Sequence, residues 1–360
     1  MTTTDPAPQM GSNVQDRHIA SFDALPRPRE LREEYPADGD RYATVVRARD
    51  EVAAALRGQD GRMAVVVGPC SIHDPELALE YAAGLRDLAD EHRDELIVIM
   101  RTYFEKPRTS IGWKGLIYDP SLDGSYDAMQ GLRAARKVLI DVLGLGLPCA
   151  VEVLDTITPQ YYSDLVSWAA IGARTVESQV HRQLASGLSM PVGFKNATDG
   201  RIGVAINALS ASVEPHAFFG VDDDGASAVI RTNGNPDAHL VLRGGDGGPN
   251  YAREHVADAT KQARAVTGHA RPVIVDCSHG NSNKDHRQQR AVVEDLLAQW
   301  SEDDHGLLGL MLESNLQPGR QDWEPHRPLE RGVSITDACI GWDETVELLG
   351  RCAETVAATR

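Results

Sequence analysis

The sequence lacks an excess of positive charge, because 36 Lys and Arg residues stand against 53 Asp and Glu, a formal net charge of −17. A protein that neutralises many phosphates usually carries a basic surface, so this balance argues against a nucleic-acid-binding protein. No run approaches the roughly 18 apolar residues that a membrane span needs, and the polar first 11 residues do not resemble a signal peptide. We therefore expect a cytoplasmic protein that binds neither nucleic acid nor membranes.

Cysteine is scarce as well: the five residues are scattered and show no CxxC spacing. This usage fits a reducing compartment better than a disulfide framework. Hydrophobic residues make up 42% and charged residues 25%, close to the globular average, so the chain can bury a large core. The length allows one large α/β domain or two average domains.

From residue 63 onward, short apolar runs alternate with longer segments of helical pattern. Such alternation is typical of a parallel sheet buried on both faces, and eight units predict a (β/α)8 barrel. The predicted strands are 63–68, 96–101, 148–153, 171–176, 191–195, 239–243, 273–276 and 307–312. The predicted helices between them include 76–90, 128–143, 160–168, 202–212, 251–266 and 287–300.

Two segments fall outside this alternation. Residues 1–60 form an N-terminal extension with a helical stretch at 39–57, and residues 61–360 form the barrel. Residues 217–232, with the turn sequence DDDG at 222–225, predict an inserted β-hairpin. We expect the extension to have a regulatory or interface role.

In a barrel of this kind the active site lies where the strands end, at their carboxyl ends. The residues that follow the apolar runs, or lie on the loop after the second, are ionisable or metal-binding: Cys70, Arg101, Lys106, Arg108, Glu152, Arg174, Lys195, Arg243, His279 and Glu313. The cations among them predict a positive funnel in an acidic protein, and hence substrates with at least two anionic groups.

The thiol of Cys70, the imidazole of His279, the Glu313 carboxylate and a further acid suit a borderline divalent transition metal. Their spacing is long, so an inert buried role for Cys70 stays open. The glycine-rich segment 243–248 is a candidate phosphate-binding loop without a standard motif. We assign His73, His216 and His239 to structure or capping.

Several motifs in this order resemble those of the type I DAHP (3-deoxy-D-arabino-heptulosonate 7-phosphate) synthases. They are GPCSIHD at 68–74, RTYFEKPRT at 101–109, GWKG at 112–115, IGARTVESQ at 171–179, PVGFKN at 191–196, LRGG at 242–245, DCSHGN at 276–281 and TDACI at 336–340. The resemblance implies a (β/α)8 fold with an extension and an added hairpin. It also implies condensation of phosphoenolpyruvate with erythrose 4-phosphate, the entry step of the shikimate pathway.

The resemblance further implies the roles of individual residues. One divalent metal ion (Mn2+, Fe2+, Co2+ or Zn2+) would be held by Cys70, His279, Glu313 and Asp337. Phosphoenolpyruvate would contact Arg101, Lys106, Ala173, Arg174, Lys195 and Arg243, and erythrose 4-phosphate would contact Arg108 and Thr109. Glu152 would position water or take part in proton transfer, so that the catalytic set is Lys106, Glu152, Lys195 and His279.

The family is commonly inhibited by an aromatic amino acid. The matching positions here are Asp16, Ile19, Gln160, Leu184, Ser189, Phe218 and Gly220. Phe-sensitive members tend to have Ser where this chain has Gly220, and glycine leaves room for a tyrosine hydroxyl. We therefore expect tyrosine as the effector, with phenylalanine second, although the extension could instead serve only a subunit interface. The resemblance also implies a homodimer or homotetramer.

Two rival functions remain at this stage. A related phosphoenolpyruvate-utilising synthase, acting on arabinose 5-phosphate or an N-acylmannosamine, would not be expected to carry the KPRT motif at 106–109. A non-catalytic paralogue could instead bind aromatic amino acids and regulate a partner such as chorismate mutase. The presence of each expected metal and anion residue counts against the second alternative.

Overall fold

The computed structural model describes residues 15–108, 112–324 and 327–360. Eight parallel strands close into a barrel in the order β1-β10-β9-β8-β5-β4-β3-β2, and two further strands, β6 and β7, form an antiparallel hairpin. The strands are β1 (Met63–Gly68), β2 (Leu96–Arg101), β3 (Cys149–Val153), β4 (Trp168–Ile171), β5 (Val192–Lys195), β6 (Ala217–Val221), β7 (Ser227–Arg231), β8 (His239–Leu242), β9 (Val273–Asp276) and β10 (Leu307–Glu313). The predicted (β/α)8 barrel and its inserted hairpin are confirmed.

Helices connect the strands and cover the outside of the barrel. They are α1 (Pro28–Glu34), α2 (Gly39–Leu56), α3 (Pro75–Glu91), α4 (Ala128–Gly144), α5 (Pro159–Tyr162), α6 (Gln179–Ala185), α7 (Gly203–Ser212), α8 (Arg253–Thr267), α9 (Gln289–Trp300) and α10 (Trp342–Ala358). Asp74 caps α3 by accepting from the amides of Glu76 and Leu77, as its position before Pro75 predicts. Within the described chain, no helix is both long and apolar enough to cross a membrane.

The fourth barrel strand lies earlier in the chain than we predicted. The prediction of a strand over 171–176 is wrong, because β4 covers Trp168–Ile171 and residues 172–176 form turns. The preceding helix is correspondingly shorter than the predicted 160–168, since α5 is one turn followed by a 3-10 turn at Ser163–Leu165. The short run Trp-Ala-Ala-Ile has no periodicity that distinguishes a buried strand from the end of a helix. In the folded chain it is a strand because it pairs with β3 and β5.

The amino-terminal end of the barrel, which we call the floor, is closed by the extension. Val52 and Leu56 on α2 belong to the same buried cluster as the inward-facing strand residues, including Trp168. A Cβ on Gly193 would lie 2.5 Å from the Trp168 ring, so the glycine makes room for this indole inside the barrel. The helical part of the extension is therefore packed as part of the barrel core.

The first helix of the extension lies against the tip of the hairpin. Arg32 pairs with Asp223 at 2.6 Å, and Arg29 approaches Asp224 at 3.3 Å. Arg32 also donates to the carbonyl of Gln160 at the start of α5. These contacts bring the extension, the hairpin and α5 together around one cavity.

Candidate active site

The carboxyl ends of the strands, which we call the mouth of the barrel, bring together residues far apart in the sequence. The register of β1 with β10 pairs Gly68 with Glu313, so Cys70 follows β1 beside the end of β10. The backbone amide of Asn315 donates to the Ile340 carbonyl, and the Ile340 amide donates to the Glu313 carbonyl. This pairing carries Asp337 to the same edge of the barrel.

A candidate metal site lies at this point. Ligand atoms of Cys70, Glu313 and Asp337 all lie within 4.8 Å of one another. His279 is adjacent, with Nε2 3.9 Å from Glu313 Oε1, but it is outside that mutual cluster. Its backbone is left-handed (φ 56°), which is uncommon for a residue with a side chain. A thiol, two carboxylates and a neighbouring imidazole fit a divalent transition metal, because that mixture of donors suits borderline ions.

The thiol of Cys70 contacts the ammonium group of Lys106. Burial, with a further contribution from Glu313, raises the pKa of Cys70 to about 12, and Lys106 opposes this rise. Lys106 Nζ lies 3.1 Å from the Cys70 sulfur and 3.2 Å from its carbonyl oxygen. Lys106 therefore stands directly beside the candidate metal ligands, as its place in the motif leads us to expect.

A buried lysine between two carboxylates forms the second part of the site. Lys195 Nζ lies 3.2 Å from Glu152 and 3.3 Å from Asp276, and each of these three side chains is at most 11% exposed. Burial alone would lower the pKa of Lys195, but both carboxylates outweigh it and raise that pKa. Conversely, His279 and Lys195 hold the pKa of Asp276 well below its usual value despite its burial. The three groups are charged and fixed in place.

Asp276 is a site residue that the sequence reasoning missed. It is the last residue of β9, and its Oδ2 lies 3.0 Å from His279 Nδ1. Ser278 Oγ lies 2.8 Å from the same imidazole nitrogen. Carboxylates in this position orient a metal-binding imidazole and fix its tautomer. A sequence signal was available, because Asp276 itself ends the apolar run 273–276.

Arg101 is completely buried and its guanidinium points across the barrel. It pairs with Glu313 at 3.1 Å, and its carbon lies 4.1 Å from the centre of the Tyr103 ring. The sequence reasoning also missed Tyr103. The centre of its ring lies 5.8 Å from Lys195 Nζ. Arg101 therefore connects a candidate metal ligand to an aromatic wall of the site.

The remaining predicted anion-binding residues surround this centre. Arg243 is buried beside the Asn196 amide, Arg174 is exposed in the turn after β4, and Ala173 precedes it, partly buried. Arg108 is exposed and donates to the carbonyl of Trp113. Thr109 lies outside the described residues.

Glycines permit two close approaches in this region. A Cβ on Gly172 would lie 2.4 Å from Glu152 Oε1, so only glycine leaves this carboxylate in place. A Cβ on Gly245 would lie 2.1 Å from the backbone nitrogen of Gly200. The amides of Gly244 and Gly245 donate to Asn250 and Gly248, so both are already used within the protein and not directed at a phosphate.

A cavity of about 620 Å³ lies outside the barrel between α1, α5, α6 and the hairpin. Four of the seven predicted effector positions line it: Gln160, Leu184, Ser189 and Phe218. Asp16 and Ile19 are exposed and are not among the described lining residues. Gly220 is not among the described lining residues either. A Cβ at Gly220 would lie 2.5 Å from Cδ1 of Ile230, and Ile230 does line the cavity.

Comparison with known proteins gives consistent results. The model of the DAHP synthetase I family matches residues 43–350. The chain is 50% identical to the Tyr-sensitive phospho-2-dehydro-3-deoxyheptonate aldolase of Escherichia coli K12, over 92% of this chain and 93% of that one. It is also 50% identical to the Phe-sensitive enzyme of the same organism, over 98% of this chain and 100% of that one.

A solved structure of phospho-2-dehydro-3-deoxyheptonate aldolase from Francisella tularensis SCHU S4 is similar throughout. The TM-score is 0.92 at 47% identity, and the match covers 95% of this chain and 99% of that chain. The equal identity to Tyr-sensitive and Phe-sensitive relatives means that overall similarity does not choose between the two effectors.

Proposed function

The chain belongs to the DAHP synthetase I family, and on that premise we propose that it condenses phosphoenolpyruvate with D-erythrose 4-phosphate and water. The products are 3-deoxy-D-arabino-heptulosonate 7-phosphate and phosphate, and the protein is a transferase at the first step of the shikimate pathway. The observation that carries this reading is the juxtaposition of the Cys70–Glu313–Asp337 cluster with the buried Lys106 and Lys195 at the barrel mouth.

The cations bind and orient the two anionic substrates. Lys195 and Arg243, with Arg174 at the rim, would hold the phosphate of phosphoenolpyruvate, while Arg101, Lys106 and Lys195 would surround its carboxylate. Arg108 and Thr109 would hold the phosphate of erythrose 4-phosphate. Because the two substrates repel each other in water, fixed positive charges lower the cost of bringing them together.

Cys70, His279, Glu313 and Asp337 would hold one divalent metal ion, which supplies Lewis acidity toward the aldehyde oxygen of erythrose 4-phosphate. Lys106 contacts the sulfur and the carbonyl oxygen of Cys70 and would thereby hold this metal ligand in place. Asp276 and Ser278 hold the His279 ring through Nδ1 and leave Nε2 toward Glu313.

Glu152 would position water for attack at C2 of phosphoenolpyruvate or take part in proton transfer. Lys195 and Lys106 hold the pKa of Glu152 below its usual value in spite of burial, so the carboxylate is ionised at neutral pH. An ionised acceptor beside the phosphate-binding lysine can orient water and receive its proton.

We test the reaction by following loss of phosphoenolpyruvate absorbance with erythrose 4-phosphate, in the presence of Mn2+ and again with EDTA. Consumption that needs both substrates and stops with EDTA supports the proposal. No consumption with any of Mn2+, Fe2+, Co2+ or Zn2+ contradicts it and leaves a non-catalytic role.

Tyrosine is the effector that we propose for the cavity, in preference to phenylalanine. The cavity joins apolar walls at Leu184 and Phe218 to polar groups at Gln160 and Ser189, which suits an aromatic amino acid. Gly220→Ser would press its side chain against Ile230, which lines the cavity, and would thereby narrow the space that a phenol hydroxyl needs.

We expect Gly220→Ser to weaken tyrosine inhibition about tenfold, a cost of about 1.4 kcal/mol in effector binding. Inhibition is measured with Tyr, Phe and Trp at fixed substrate concentrations. Gly203→Ser is the matched control, because a Cβ there meets nothing within 4 Å. Equal tyrosine inhibition in wild type and Gly220→Ser would remove this position from effector choice.

A homodimer or homotetramer is part of the proposal. Apolar side chains of the extension and the hairpin are exposed in the single chain, among them Phe22 at 78% and Phe219 at 86%. Phe219 lies directly across from exposed Val229, which makes a continuous apolar patch on the hairpin. Such a patch supports burial against a second copy. Sedimentation of wild type and Phe219→Ser tests this, and an unchanged monomer in both contradicts it.

A further inference from the structure

The residue before Lys106 is a carboxyl group that the proposed reaction does not use. Glu105 is 2% exposed, and its carboxyl accepts from neutral donors. They are the Leu154 amide at 3.3 Å, Thr158 Oγ1 at 3.2 Å and the Tyr162 hydroxyl at 3.4 Å. A buried carboxylate surrounded by neutral donors is costly, whereas a neutral carboxyl is readily accommodated there.

A second carboxyl lies beside it. The Tyr118 hydroxyl donates to Asp155 Oδ2 at 3.0 Å and is also in hydrogen-bonding contact with Glu105. Two carboxylates that share neutral donors repel each other, so the pair is stable with one proton between them. The other titratable groups packed here are Tyr162 and His181, and His181 contacts the carbonyl of Leu154.

Burial, reinforced by the charge of Asp155, raises the pKa of Glu105 to about 8. At pH 7 the proton therefore resides on Glu105 in the folded protein.

The cluster connects three segments that the active site needs in register. The backbone amide of Lys106 donates to the Lys114 carbonyl, which connects Lys106 to the segment that contains Tyr118. Asp155 follows β3, which carries Glu152. Thr158 directly precedes α5.

We propose that Glu105 is a positioning residue for residues 106–108, which we call the substrate loop. Its neutral carboxyl fastens Lys106 and Arg108 to the segment between β3 and α5. The proposal rests on the proposed function, since it assigns Glu105 a task in that reaction. The carboxyl touches neither substrate, and it acts through the place of Lys106 and Arg108. Loss of its proton puts two negative charges in one buried cluster and loosens the loop.

The first test needs no turnover. Because the pKa of Glu105 is raised in the folded state, the stability it contributes is present below pH 4.5 and is lost as pH rises toward 8. Relative to Glu105→Gln, the wild-type Tm should therefore fall by about 4 °C between pH 5.5 and 8.5. Glu91→Gln on an exposed face of α3 is the control and should follow wild type. Parallel curves for wild type and Glu105→Gln would overturn the proposal.

Kinetics form the second test. Glu105→Gln keeps a neutral acceptor, so kcat/KM for erythrose 4-phosphate at pH 7 should fall less than threefold, whereas Glu105→Ala should raise that KM more than tenfold. Wild type should lose activity above pH 8, and Glu105→Gln should lack this decline. Asp155→Asn removes the charge that raises the pKa of Glu105, so the decline should begin at a lower pH than in wild type.

An unchanged alkaline decline in Glu105→Gln, or an unchanged KM in Glu105→Ala, would overturn the proposal. If wild type consumes no substrate at all, the proposed function fails, while a Tm difference would still support the neutral Glu105 clamp.

Discussion

The two ends of the same barrel solve the burial of polar groups in opposite ways. At the mouth, Lys195 is held between the charged Glu152 and Asp276. At the floor, Trp168 donates to His239 Nε2 at 3.1 Å and the second ring nitrogen of His239 lies 3.1 Å from the Asp237 carbonyl. The mouth thus keeps ions ready for anionic substrates, whereas the floor keeps neutral groups that only close the core. The comparison teaches that activity and stability should respond to different ends of the same strands.

Removal of the central cation of the mouth should have the largest effect. Lys195→Met leaves Glu152 and Asp276 buried without their partner, so we expect a loss of about 3 to 5 kcal/mol in unfolding free energy. Turnover should fall at least about a hundredfold. Urea unfolding and phosphoenolpyruvate consumption measure the two quantities.

The matched control is Lys137→Met, an exposed lysine paired with Asp141, which should cost at most about 1 kcal/mol. Adding Glu152→Gln and Asp276→Asn to Lys195→Met should restore stability but not turnover. Restored turnover would break the comparison, because it would make the mouth charges structural.

A cavity in the floor should affect stability alone. Leu56→Ala truncates a 1%-exposed side chain of α2 inside the barrel cluster, and we expect a loss of about 2 to 5 kcal/mol. kcat/KM should stay within about twofold at temperatures where the variant is folded. Leu25→Ala, at a half-exposed position, should change neither quantity by much. A large fall in kcat/KM for Leu56→Ala would show that the ends are not independent.

The floor should also have a distinct pH dependence. Burial lowers the pKa of His239 to about 4, below its usual 6.5, so the stability it contributes is present above pH 6.5 and is lost as pH falls toward 4. Relative to His239→Gln, wild type should gain about 2 kcal/mol between pH 5 and 6.5. Urea unfolding at several pH values measures this. An equal pH dependence in both proteins would contradict the lowered pKa, because it would mean that folding leaves the pKa of His239 unchanged.

A variant with little expected effect on stability sharpens the comparison at the mouth. Gly172→Ala places a methyl group against Glu152, so we expect kcat/KM to fall about tenfold to a hundredfold while Tm changes little. Gly203→Ala, with open space at its Cβ, should leave kcat/KM as it is. An unaffected Gly172→Ala would remove Glu152 from the list of catalytic groups.

Most of the mouth was predictable because parallel strands deliver their last residues to one edge. Cys70, Lys195 and Glu313 were found in this way, and Asp337 through the family resemblance. Asp276 ends its apolar run and could have been found by the same rule, although His279 was taken in its place. Tyr103 was missed because an aromatic ring after a strand has no signal that separates a site residue from a core residue. Of the positions predicted to bind an effector, Gln160 and Phe218 line one cavity in the single chain, whereas Asp16 is exposed and is not among its described lining residues.

The sequence by itself determined the alternation of strands and helices, the extension and hairpin, and the residue types at the barrel mouth, because these follow from local periodicity and strand direction. Tertiary structure decided the start of β4 at Trp168, the pairing of Asp276 with His279, and the hydrogen-bonded cluster around Glu105. Those features depend on which groups become neighbours when water is removed, and burial, not residue type, sets whether each one is charged.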